Sequence, residues 1–124
     1  MTGLTFDTGA LIALERRKLR MRQVLERGRD RDQVITVPAD VVAEWWRGPT
    51  DLRRAILDAV DVEPLTLRLA QLAGEAMGQV PGATLVDAIV VASAASRGDV
   101  IYSSDVHDLG RLRRFFPSVR ILGA

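Results

Sequence analysis

The chain has 124 residues, 48% apolar and 27% charged, which suits one domain (1–124) with its own core and is too little for two. There is no cysteine, so disulfides, thiolate metal sites and cysteine nucleophiles are excluded. The net charge is only +1, but residues 15–31 carry eight basic side chains against three acidic ones, and Arg111, Arg113 and Arg114 form a second basic cluster. Such patches suit a phosphate backbone, and equally suit a solvated helix face with ion pairs along it.

Leu4–Phe6 reads as a short strand ending at Asp7. A helix over Thr8–Arg17 follows, with Leu11 and Leu14 on one face, then a second over about Lys18–Arg27 with Met21, Val24 and Leu25 at helical spacing. Residues 28–33 are polar and read as a loop, and Val34–Val37 as the second strand. Pro38 suits a first helical position, so a helix is expected to run through Trp46 and to stop at Gly48-Pro49. Thr50–Asp58 is a further helix, Val60–Glu63 a third strand ended by Pro64, and Leu67–Met77 an amphipathic helix. Thr84–Ser96 is apolar almost all round, the mark of an interior helix, with Gly98 as its C-cap. Val100–Ser103, a helix over Asp108–Phe116, and Val119–Leu122 complete the chain. No apolar run reaches the ~18 residues of a membrane span and the N-terminus lacks a signal-peptide apolar core, so a cytoplasmic location and no membrane partner are expected.

Strands alternating with helices imply a parallel sheet covered on both faces: a three-layer α/β/α sandwich of four or five strands. Ligands of such sheets bind beyond the carboxyl ends of the strands. Asp7 and Asp105 follow strands directly, Glu44 lies about two turns into the helix after the second strand, and Asp87 lies in the first turn of its helix. All four are therefore expected at one edge. Each also has a structural explanation. Thr84 and Asp87 have capping-box spacing, as do Asp105 and Asp108, and Asp7 can stabilise a helix start. Cap acids, however, should scatter over both ends of a domain. Four carboxylates converging at one edge repel one another and call for a cation, and a hard divalent ion takes oxygen ligands of this kind. The expectation is a magnesium or manganese site and phosphate chemistry, with one or two ions left open. A single histidine, His107, argues against paired-histidine cleavage of RNA through its 2′-hydroxyl.

The pieces FDTGALIAL, AEWWRG, LVDAIVVASAA and YSSDVHDL, in that order, resemble a PIN-domain ribonuclease, specifically the VapC-type toxins of bacterial toxin–antitoxin pairs, over essentially the whole chain. By that resemblance Asp7, Glu44, Asp87 and Asp105 match the family's metal-binding acids, and Ser103 the serine or threonine two positions before the last of them. Asp108 matches a fifth acid that many relatives lack. The resemblance implies a PIN-like fold, Mg2+- or Mn2+-dependent endonucleolytic hydrolysis of transfer or ribosomal RNA, a homodimer, and a VapB-like antitoxin that covers the crevice. Part of the helical pair over residues 8–27 would then line a groove for that antitoxin.

Other acid-clustering enzymes on parallel sheets fit less well. A haloacid-dehalogenase-type phosphatase needs a second acid two positions after Asp7, where Gly9 stands, and a receiver domain needs a late lysine, whereas Lys18 is the only lysine. The alternative outside enzymes is a catalytically inactive PIN-scaffold module that binds RNA or a protein. Trp45 and Trp46 point about 100° apart on a helix, so one is expected in the core and the other partly exposed.

Overall fold

A computed structural model describes residues 2–124. Five strands form one sheet: β1 (Leu4–Phe6), β2 (Ile35–Pro38), β3 (Asp61–Glu63), β4 (Val100–Ser103) and β5 (Arg120–Gly123). The order is β3-β2-β1-β4-β5 and every pairing is parallel, with Leu4 opposite Ile35 on one side and Val100 on the other. The helices are α1 (Thr8–Glu15), α2 (Leu19–Asp30), α3 (Ala39–Trp45), α4 (Asp51–Asp58), α5 (Leu67–Gln79), α6 (Leu85–Arg97) and α7 (Val106–Gly110), followed by a 3-10 turn over Arg111–Arg114.

Right-handed crossovers explain the layers. The chain leaves β1 towards β2 and β3, so α1–α4 lie on one face. It then returns across the sheet to β4 and β5, which puts α5–α7 on the other. Strand order thus reverses between β1 and β4. The expected α/β/α architecture is the one observed. Helix α6 is buried on every side from Ala88 to Ala94 and packs on β1, β2 and β4, and Gly98 ends it in the left-handed conformation at φ 74°.

Of the boundaries that differ from the sequence reading, four have a clear local reason. Helix α2 runs on to Asp30, because Gly28 is buried against Leu4 and Ile35 at a distance where a β-carbon would crowd Ile35 (3.1 Å). Pro38 does not open a helix. It ends β2 with ψ 144°, pairs with Glu63, and stands as the residue before α3. The last helix begins two residues early, at Val106, because Asp105 caps it, and then tightens to 3-10 geometry. Leu109 and Leu112 are both fully buried, and their spacing of three suits the tighter turn. Strand β3 is shorter than expected and mostly exposed, as befits an edge strand.

Of the adjacent tryptophans, Trp45 is buried and Trp46 only partly so, packed edge to face with ring centroids 5.9 Å apart.

Candidate functional site

Asp7 sits where β1 turns into α1, at the strand-order reversal. Its backbone N–H donates to the Tyr102 carbonyl of β4 (3.3 Å), and its carboxylate caps α1 by accepting from the Ala10 N–H (2.9 Å). It is only 6% exposed. Burial pushes its pKa above the usual carboxylate value. Hydrogen bonds from the Ser103 hydroxyl and the Ala10 N–H oppose that rise, while the negative charges of Asp87 and Asp105 add to it.

Ser103, the last residue of β4, is fully buried and joins two of the acids. Its hydroxyl lies by Asp7, whose pKa it lowers, and accepts the Asp105 backbone N–H at 2.8 Å. Asp105 is exposed and accepts the Asp108 N–H at 3.4 Å, a long cap on a helix of five residues. Asp87 lies in the first turn of α6, where Thr84 accepts its backbone N–H (3.2 Å). Burial raises the Asp87 pKa; Thr84 opposes this, and Asp105, Asp108 and Glu44 reinforce it. Glu44, near the end of α3, is exposed and accepts a short hydrogen bond from the Thr8 hydroxyl.

Asp7, Asp87 and Asp105 thus lie close enough to perturb one another, and Glu44 and Asp108 reach the same field through Asp87. Among the described residues, none of Asp7, Glu44, Asp87 or Asp105 pairs with a lysine or arginine; Asp108 alone has an ion pair, to Arg111 at 3.6 Å. No three acidic or imidazole side chains among the described residues close into a finished ligand cage. Glu44 is turned towards Thr8. The donor set still fits magnesium or manganese. It is all oxygen, its deepest member is a buried carboxylate with only neutral donors, and magnesium takes one or two carboxylates directly with water at its remaining positions.

Three residues of this region escaped the sequence reading. Thr8 holds Glu44. Gly9 lets α1 pass against the β4–α7 loop, since a β-carbon there would stand 1.8 Å from the Ser104 hydroxyl oxygen. Asp40, in the first turn of α3, has both carboxylate oxygens buried without a hydrogen-bond partner. Burial raises its pKa, with Glu44 and Glu63 adding to the rise; its own and Val41's N–H groups counter it without reaching bonding geometry. Its position one helical turn before Glu44 was the available signal. His107 is exposed, and Arg47 bonds to the Trp46 carbonyl (2.8 Å) rather than to Glu44.

No family model matches this chain, and no curated relative does. Solved structures do. A chain of VapBC2 from Rickettsia felis, bound to a DNA fragment from its promoter, superposes with a TM-score of 0.77 at 11% identity over 98% of both chains. DNA-bound VapBC from Salmonella typhimurium gives 0.74 at 14% identity, over 99% of this chain and 98% of that one. A toxin–antitoxin complex from Klebsiella pneumoniae gives 0.69 at 18% identity, over 94% and 95%. The chain has a PIN-like fold. At these identities the likeness concerns the path of the backbone. In this PIN-like sheet Asp7 and Asp105 follow the carboxyl ends of β1 and β4, where the rule for open parallel sheets puts a ligand.

Proposed function

We propose that this chain is a magnesium- or manganese-dependent endoribonuclease, the toxin of a toxin–antitoxin pair, and that it hydrolyses phosphodiester bonds of transfer or ribosomal RNA with water. The observation that carries the reading is Asp7: a buried carboxylate with no cationic partner, raised in pKa, and faced by Asp87 and Asp105. A cap requires none of that burial. Its protein partner would be a VapB-like antitoxin, since the similar structures are toxin–antitoxin complexes. A homodimer is the proposed assembly.

In this reading Asp7, Asp87 and Asp105 hold the cation, and Glu44 approaches from α3 to complete the set. The bound ion supplies neutralisation of charge on the scissile phosphate and an activated water. Ser103 fixes the spacing of Asp7 and Asp105, because one hydroxyl serves both. Thr8 sets the orientation of Glu44. Asp108 is an accessory group that tunes Asp87 through its charge. Water attacking the phosphorus leaves a 5′-phosphate and a 3′-hydroxyl.

The test is brief expression of the chain beside its Asp87→Asn variant, with 5′-phosphate ends mapped across cellular RNA. New ends in a restricted set of RNAs, absent with the variant and reproduced by purified protein only with magnesium or manganese, are expected. Identical end maps for both proteins, together with no effect of magnesium on thermal stability, would overturn the proposal in favour of a binding module.

A further inference from the structure

Beside Glu44, outside the acid crevice, lies an open cleft of about 400 Å³ lined by Ile12, Glu15, Arg16, Glu44, Trp45, Arg47 and Arg53. Its charges are arranged unevenly. Glu15, at the end of α1, accepts the Trp45 indole N–H (2.9 Å) with one oxygen and pairs with Arg53 (2.8 Å) with the other. Arg53 also donates to the Gly48 carbonyl (2.9 Å), and its Nε is buried without a partner. The floor of the cleft is therefore a locked Glu15–Trp45–Arg53 assembly. Arg16 and Arg47 stand exposed above it. Among the described residues neither forms an ion pair, and Arg47 spends one N–H on the Trp46 carbonyl.

Glu44 lines this cleft and accepts a hydrogen bond from Thr8, the residue after Asp7, so the two unpaired arginines lie next to the acids of the proposed site. We propose that this cleft is a phosphate subsite, in which Arg16 and Arg47 hold the phosphodiester next along the RNA strand from the one cut at the acids. The inference rests on the nuclease reading. A polyanion with regularly spaced charges suits the juxtaposition, because one phosphate meets the cation-seeking acids while its neighbour meets arginines. An acidic peptide fits less well, since its carboxylates next to the arginines would face Glu44 and Asp87 without a metal to bridge them. Guanidinium groups also match phosphate oxygens through paired N–H donors. The fixed floor holds the end of α3, so the cleft is organised before RNA arrives.

The experiment measures cleavage and binding of a labelled random-sequence oligoribonucleotide, about a dozen nucleotides long, by wild type, Arg16→Ala, Arg47→Ala and the double variant. Arg68→Ala, on the opposite face of the sheet, is the control. The double variant should raise KM about tenfold with kcat nearly unchanged, and flatten the slope of log affinity against log salt by about 0.7 per arginine removed. A dinucleotide with a single phosphodiester should be cut equally by all four. Arg→Lys at both positions should restore the salt slope.

An unchanged KM and salt slope in an active double variant would overturn the subsite while leaving the nuclease reading intact. No cleavage by wild type, with RNA binding still lost in the double variant, would overturn the nuclease reading and keep the cleft as a nucleic-acid site. Unaltered RNA binding, with loss of affinity for a polyglutamate peptide, would make the cleft a protein-docking surface and refute the proposal.

Discussion

Asp7 and Asp99 are each 6% exposed, and they are treated in opposite ways. Asp99 accepts the Arg97 Nε–H at 2.9 Å and the Thr5 hydroxyl at 2.8 Å. The same guanidinium also reaches Glu63, Thr5 and Ser93, and Ser93 in turn donates to Glu63 at 2.6 Å. That cluster sets one guanidinium between two carboxylates and ties α6 to β1, β3 and the start of β4. Asp7 receives two neutral donors and faces more negative charge. One buried aspartate completes the scaffold. The other, under the proposed function, is the one left for a cation.

Exchanging each acid for its amide separates the two roles. Asp7→Asn should lower RNA cleavage by about 10²–10³-fold, an effect on the scale of removing one electrostatic group from an active site. Its metal-free stability should rise or hold, because a costly buried charge is removed. Asp99→Asn should do the reverse, costing about 1–3 kcal/mol in urea unfolding by weakening the buried bonds from Arg97 and Thr5 while Arg97 keeps Glu63, with cleavage by the folded fraction retained. Equal losses of stability in both variants would erase the distinction.

Gly9→Ala tests the junction instead of the acids. A methyl group driven towards Ser104 must displace the loop carrying Asp105, so cleavage should fall about tenfold with a stability loss of about 1–3 kcal/mol. Retained activity would mean that the Asp105 loop adapts freely.

Smaller effects should follow pH and metal. Burial on folding raises the pKa of Asp7, Asp40 and Asp87 above the ordinary carboxylate value. Between that value and the folded pKa the native state binds more protons than the unfolded one, so these groups make metal-free protein less stable as pH climbs through that interval. Melting temperatures recorded without metal should therefore decline from mildly acidic pH towards neutrality. Magnesium at ten times its Kd should return about 1.4 kcal/mol at neutral pH. That gain should shrink in Asp87→Asn and persist in Asp99→Asn. A magnesium response of wild-type size in Asp87→Asn would place the ion elsewhere.

The topology could be read from alternation of strands and helices, and α6 from its unbroken apolar character. The four acids could be flagged because each follows a strand or lies within two turns of a helix start. Asp99 was passed over for the same reason, as it precedes its strand. Other features depend on partners distant in sequence. Nothing near Gly9 announces Ser104, and nothing near Glu15 announces that Trp45 and Arg53 will meet its two oxygens. Pro38 misled because the same φ serves the end of a strand and the start of a helix. The final helix misled because Asp105 caps it earlier than the run of apolar residues suggested.

The pairing of β1 with β4 sets the order of events during synthesis. Asp7 is translated well before Tyr102 and Ser103, which hold it, and Asp105, which faces it. Until then the N-terminal strand has no right-hand neighbour and the crevice has no second wall. Truncated products ending before Val100 would carry three of the four acids and none of the enclosure. Under the proposed function, an unfinished copy would be expected to lack cleavage activity, which truncation before Val100 would test.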